Sequence, residues 1–191
     1  MSEIVSLIVA AALMNNIVLV QLFGVSAFLL SSRRLSGAIE LAIFTGLVLF
    51  SSTLLSQLLT RVLLEPLGLQ ALRLITLLVI SGGISTVLAV LVRENFPLSF
   101  RQQPWMFYLA GGNSAIIGIT LSGPLGQLTP LQVIGSSLGT VLGFSAALIG
   151  FALLRLRLST SDVPPVLQGG PIMLISMGIM AMGLLGFAGI V

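Results

Sequence analysis

The residues of this chain that can do chemistry are few, and they stand where apolar side chains are expected. Asn15 and Asn16 interrupt a Leu/Val/Ile-rich stretch near the N-terminus, and Gln21, Gly24 and Ser26 follow within the next turns. A second cluster, Gly111-Gly112-Asn113-Ser114 with Gly118, interrupts an apolar stretch in the second half. Amides and hydroxyls supply hydrogen bonds and weak oxygen ligands, and neighbouring glycines let a helix unwind and its backbone approach a ligand or another helix. The chain has no His and no Cys, so it offers no imidazole for a haem or metal site and no thiolate for a cluster or disulfide. All eight basic residues are Arg, which removes Schiff-base and P-loop chemistry. No metal site of its own is expected, and no carboxylate falls at the centre of an apolar stretch to build a proton or sodium relay.

The elements that position these residues follow from composition. Of 191 residues, 57% are hydrophobic and 7% charged, with mean hydropathy +1.19; soluble domains carry about 25% charged residues. The solvent of this chain is therefore the lipid bilayer. The net charge of +3 comes from scattered arginines, the densest pairs being Arg33–Arg34 and Arg155–Arg157, so no nucleic-acid partner is indicated. Charge-free intervals run 4–32, 41–60, 74–92, 102–154 and 163–191, and one spanning helix needs roughly 20 apolar residues. The turn-rich stretch from Ser122 to Pro130 divides the longest interval into spans near 104–121 and 131–154. Six spanning helices result. Six arginines fall on one side and Arg61 and Arg73 on the other, which places both termini outside the cytoplasm. Met1-Ser2-Glu3 lacks the basic start of a signal peptide, so the first stretch is expected to stay as a helix. No loop can hold a soluble domain, and residues 1–191 read as a single integral membrane domain.

Depth gives the polar residues their meaning. Counting from Ile4 at ~1.5 Å per residue puts Asn15 roughly 17 Å deep, about the bilayer midplane. The two polar clusters occupy corresponding places in the halves 1–98 and 99–191. Three spans per half force the second copy to enter the membrane upside down. The expected fold is therefore an all-α membrane protein of six transmembrane helices in two inverted three-helix repeats, with helices 1 and 4 broken around a midplane site. Asn15, Asn16, Gly24 and Asn113 would line that site. Taken singly, intramembrane Asn, Ser and Gly more often pack helices than bind ligands, and it is their matched placement that points to a site. Gly135, Gly139, Gly143 and Ala147 form a small-residue stripe that reads as a packing face. Met173, Met177, Met180 and Met182 read as adaptable packing, and Trp105 and Tyr108 as interfacial belt residues.

The run Asn15-Asn16-Ile17-Val18-Leu19-Val20-Gln21-Leu22-Phe23-Gly24 resembles the first-helix motif of the Rnf-Nqr membrane family, which includes the A-type and E-type subunits of Rnf complexes and the D-type and E-type subunits of the sodium-pumping NADH:quinone oxidoreductase. The A-type Rnf pattern is the nearest. It continues through Pro66-Leu67-Gly68-Leu69 with Leu72-Arg73, Asn113-Ser114-Ala115, Asp162-Val163-Pro164 and the closing run Gly183-Leu184-Leu185-Gly186-Phe187-Ala188-Gly189. The resemblance implies a six-helix component of the bacterial inner (cytoplasmic) membrane, in a complex that moves electrons between reduced ferredoxin and NAD and couples this to ion transport. It implies the Rnf-type B, C, D, E and G subunits as partners, above all the homologous E-type subunit in the opposite orientation. It also implies an intramembrane iron–sulfur cluster shared with that partner through the broken first and fourth helices. Family members carry Cys in a Gly-Leu-Cys-Pro motif where this chain has Gly24-Val25-Ser26-Ala27, and in Thr-Thr-Asn-Cys where it has Gly111-Gly112-Asn113-Ser114. Ser26 and Ser114 thus stand at the cluster-ligand positions, with hydroxyls far harder to deprotonate than thiols. A family glutamate in the third helix aligns with Ala89. Two other readings are an inverted-repeat transporter or channel scaffold and a structural paralogue without a redox role; none of the three requires catalysis within this chain alone.

Overall fold

The computed structural model describes residues 2–26, 29, 34–95, 112–121 and 129–187. The first apolar stretch forms α1, Ser2–Val9, and widens into a π turn over Ala10–Met14. It ends where Asn15 leaves helical geometry at φ −105° and ψ 38°. The second stretch forms α2, Leu35–Leu59, continued by a π turn over Thr60–Leu64. A tight turn follows, with Gly68 at φ 69°, a conformation that glycine adopts without steric cost. A 3-10 turn over Gln70–Leu72 then leads into α3, Arg73–Asn95.

In the second half, α4 covers Ser114–Leu121, α5 Pro130–Ser159 and α6 Gly170–Leu185. The start of α5 is fixed locally. Thr129 and Gln132 exchange side-chain and backbone hydrogen bonds as a capping box, and Pro130 takes the first helical position, where its missing N–H costs nothing. Among the described residues there is no strand. Leu35–Leu64, Gln70–Leu91 and Pro130–Ser159 are long and apolar enough to cross a membrane, whereas the helices at Glu3–Met14 and Gly170–Leu185 are shorter.

Helix ends depart from the charge-free intervals in both directions. The α2 helix begins before 41 and its π extension runs past 60, because Glu40 and Arg61 lie inside the helix. Charges near the headgroups mark depth in the bilayer, not helix termini. The last helix is shorter than 163–191, since Pro164, Pro165 and Gly169 shape a 3-10 turn and a left-handed corner before Gly170. Residues 104–111 of the expected fourth span, the belt residues Trp105 and Tyr108, and residues 122–128 of the expected turn lie outside the described residues.

The core sits where α2 lies along α5, with α1 laid against α5 and α3 against α2. Phe144, Phe151, Leu41, Leu49, Leu148 and Ile116 are fully enclosed there. The glycine stripe of α5 explains how α1 comes so close. A Cβ at Gly139 would stand 2.5 Å from the Ile8 carbonyl oxygen, and one at Gly143 would stand 2.5 Å from that of Ala12. Only glycine permits that approach. By contrast, 17% of the α3 span is buried, against 56% for α2 and 50% for α5, so most of α3 faces outward.

Candidate functional site

The site is the place where α1 unwinds. The Asn15 N–H still donates to Ala10 O at 2.8 Å, closing the π turn, but its side chain is exposed. Asn16 turns inward and is 2% exposed. Its Nδ2 donates to Ala12 O at 2.9 Å and to Gly143 O of α5 at 3.0 Å. Its Oδ1 accepts from the N–H groups of Val18 and Leu19, each at 3.1 Å. One amide therefore satisfies backbone groups on both sides of the break and ties it to α5. Without those partners, free peptide groups in a hydrocarbon surrounding cost several kcal/mol each, on the order of an unmade hydrogen bond in an apolar medium.

After Asn16 the chain turns back through Phe23 N–H to Ile17 O at 2.9 Å. Leu22 stands at φ 61° and Gly24 at φ 82°; the first is uncommon for a non-glycine residue. At Gly24 two constraints coincide. A Cβ there would meet the left-handed penalty and would lie 2.8 Å from Asn113 Oδ1. The Gly24 N–H donates to Ser114 Oγ at 2.7 Å.

Asn113 opens α4 from the other side. Its Oδ1 accepts from the Ala115 N–H at 3.1 Å and its carbonyl from the Ile116 N–H at 2.9 Å, as a helix N-cap does. The side chain is buried, and Nδ2 has no hydrogen-bond partner among the described residues. Phe23 closes the junction over Gly118, where a Cβ would stand 2.5 Å from its Cδ2.

Gly24, Asn113 and Ser114 thus meet directly, and Asn16 anchors the same broken segment to α5. Asn15 and Ser26 do not join them: both are exposed, and the Ser114 hydroxyl is bonded to the Gly24 backbone. These residues are all uncharged, so the junction can orient and hold by dipoles but carries no group of its own to exchange protons near neutral pH. Among the described residues no set of three or more His, Cys, Asp or Glu gathers to hold a metal.

One polar feature was not singled out from the sequence. Ser52, Ser56 and Thr60 recur every fourth residue on α2, beside Thr53 and Gln57, and all five are buried; Ser81 and Ser85 of α3 are buried too. The four-residue spacing is the signal that could have found them. Thr53 Oγ1 donates to Leu49 O at 2.7 Å and Thr60 Oγ1 to Ser56 O at 2.8 Å. Hydroxyls that return to their own helix act as small packing groups. Thr45 differs, since its Oγ1 is buried without a partner among the described residues.

Comparison with known proteins adds what geometry alone does not. Residues 4–191 match the family described as Rnf-Nqr subunit, membrane protein. The chain is 36% identical over 191 residues to the A-type subunit of the ion-translocating oxidoreductase complex of Alkalilimnicola ehrlichii, covering 100% of this chain and 99% of that one. The proteins of the same name from Pseudomonas aeruginosa and Hahella chejuensis are 34% and 32% identical, each likewise covering 100% of this chain and 99% of the relative.

Proposed function

Because this chain belongs to the Rnf-Nqr family of membrane subunits, we propose that it serves as the A-type component of an Rnf-type complex that couples electron transfer between ferredoxin and NAD to ion translocation. The observation that carries this reading is end-to-end similarity to relatives named for that component. The hydrogen-bonded junction of Gly24 with Asn113 and Ser114 supports it as well, because it joins the two halves where the inverted-repeat reading requires them to meet. In this reading the chain is a multi-pass protein of the bacterial inner membrane with six spans in two inverted repeats and both termini periplasmic. Its partners are the B, C, D, E and G subunits, with the homologous E-type protein packed beside the junction. The exposure of Ser26 leaves that residue available to such a neighbour.

This chain's own donors do not fit an iron–sulfur cluster. Such clusters are held by thiolates, the chain has no Cys, and the Ser114 oxygen already accepts the Gly24 N–H at 2.7 Å. What the residues do instead is hold backbone: Asn16 caps the unwound end of α1, Asn113 caps the start of α4, and Ser114 clips the two together. The role of the chain in the complex is accordingly to shape the membrane junction, with electron carriage assigned to groups held by its partners. The donor set equally favours a second reading, a structural paralogue that completes the complex without taking part in redox chemistry.

The test is purification of the tagged chain from native membranes in mild detergent. Co-purification with flavin-bearing and ferredoxin-like subunits, and ferredoxin-dependent NAD reduction by that preparation, are expected. A chain that purifies alone, and whose deletion leaves that reduction unchanged, overturns the assignment. Within an assembled complex, Ser114→Phe separates the two readings: loss of turnover with assembly intact places the junction in the working path, and unchanged turnover assigns it to structure. Reporter fusions at the two termini check the orientation.

A further inference from the structure

The π turn of α1 sets the structure against the helical period of its own sequence. At about 100° per residue, the positions four, seven and eleven beyond Ile4 fall on one face; they are Ile8, Ala11 and Asn15. The start of that face does lie in the glycine stripe of α5, with Ile4 against Gly135 and Ile8 and Ala11 against Gly139. Asn15 does not continue it. The π turn over Ala10–Met14 takes in one residue more than an α turn holds. The place due to Asn15 is filled by Asn16, whose Nδ2 donates to Gly143 O at 3.0 Å, and the Asn15 side chain is left exposed.

What the anchoring amide touches reads alike one residue earlier. Asn16 Nδ2 also donates to the carbonyl four residues back, that of Ala12, and its Oδ1 accepts from the N–H groups two and three residues on. The same bonds drawn from Asn15 run to Ala11 O and to the N–H groups of Ile17 and Val18. Gly143 admits Ala12 at close range, and Ala11 in its place has the same size. The segment between the anchor and Gly24 lengthens from seven residues to eight. That slack reaches Leu22, which stands at φ 61°, a conformation that a bulky side chain adopts only at a cost.

We propose that Asn15 and Asn16 are alternative anchors of one joint, and that the π turn of α1 exchanges with an α turn that passes the Gly143 carbonyl from Asn16 to Asn15. The π register is the resting one. In the α register the extra residue has moved out of the helix into the unwound segment, and the Asn15 amide is withdrawn from the outward side of the break. The anchor makes four hydrogen bonds in either register, which keeps the second within reach of the first. Shifts of helix register take microseconds to milliseconds. The exchange is a property of this helix and holds whatever complex the chain serves.

The experiment is residue-resolved hydrogen–deuterium exchange on the full chain purified from native membranes in mild detergent. In the wild type the Leu19 N–H is held by Asn16 Oδ1 at 3.1 Å. Asn16→Ala removes the resting anchor and Asn15 takes over. The Leu19 amide is then expected to exchange about tenfold faster and the Ile17 amide about tenfold slower, the size of one hydrogen bond moved. Asn15→Ala alone is expected to keep the wild-type pattern. The double variant Asn15→Ala/Asn16→Ala is expected to leave both amides unprotected and to unfold at a lower temperature than either single variant. Deletion of Ala12 keeps both asparagines and supplies a second route. It removes the extra residue, so an α turn brings Asn16 to Gly143, and the chain is expected to accumulate with Leu19 protected. Faster exchange at both Ile17 and Leu19 in Asn16→Ala, an Asn16→Ala chain no more stable than the double variant, or a deletion variant that fails to accumulate or loses Leu19 protection overturns the proposal.

Discussion

The two asparagines that hold this junction are the same residue type and are held very differently. At the first, Asn16 uses both amide hydrogens and its oxygen, reaching Gly143 across 127 residues of sequence. At the second, Asn113 uses its oxygen on Ala115, while its amide nitrogen is buried without a partner among the described residues. The first break is a finished structural joint. Beside the second, Ser114 accepts the Gly24 N–H and ties the start of α4 to the unwound segment. A buried asparagine is therefore not one kind of feature. Its worth depends on how many of its hydrogen bonds the neighbouring helix completes.

The contrast can be broken by substitution, and the largest effect is expected one helix away. Gly139→Leu drives a side chain into the Ile8 backbone and removes the contact that lets Asn16 reach α5. We expect destabilisation of more than about 3 kcal/mol, the range of severe overpacking, seen as failure to accumulate in the membrane. Asn16→Leu comes next. It takes the acceptor from the Val18 and Leu19 N–H groups and the tie to the Gly143 carbonyl from a buried place, and about 2 kcal/mol or more should be lost, read as a lower midpoint of thermal unfolding in detergent. Asn113→Leu removes one used acceptor and one unused donor, so about 1 kcal/mol is expected in the same assay. If Asn113→Leu costs as much as Asn16→Leu, the two asparagines are equivalent and the comparison fails.

Smaller effects sharpen it. Ser114→Ala should cost about 1 kcal/mol and speed hydrogen exchange at the Gly24 amide while leaving that of Leu19 unchanged. Slow exchange at Gly24 in the variant would show that another group holds the junction. At the small end, Gly83→Ala on α3 meets no atom of the described residues within 4 Å. It is expected to stabilise the isolated chain by up to about 1 kcal/mol through helix propensity. A loss there would show that the outward face of α3 is already packed in the membrane.

Much of the site was legible in one dimension. Asn15, Asn16, Gly24, Asn113 and Ser114 stand out because polar residues and glycines are costly in hydrocarbon, and that cost is visible in a string of residues. The glycine stripe of α5 was legible too, since its four-residue spacing places it on one helical face. Legibility ended at orientation. Asn15 and Asn16 are neighbours in sequence with identical side chains, yet the π turn exposes one and buries the other. Ser26 and Ser114 are equivalent by motif, and only Ser114 reaches the other half of the junction. The buried hydroxyl row on α2 is hidden in the sequence because Ser and Thr scatter through apolar helices without breaking their hydropathy.

By itself, then, the sequence determined the solvent of this protein, its helical character and the absence of any thiolate or imidazole ligand. These are sums over residues or short-range spacings. The tertiary structure alone decided which asparagine is anchored, that α1 is the element seated in the glycine stripe, and that Ser114 bonds to Gly24. Each of those rests on two segments far apart in sequence meeting within a hydrogen bond or a van der Waals contact. Such meetings are set by how whole helices pack, which no local pattern of residues specifies.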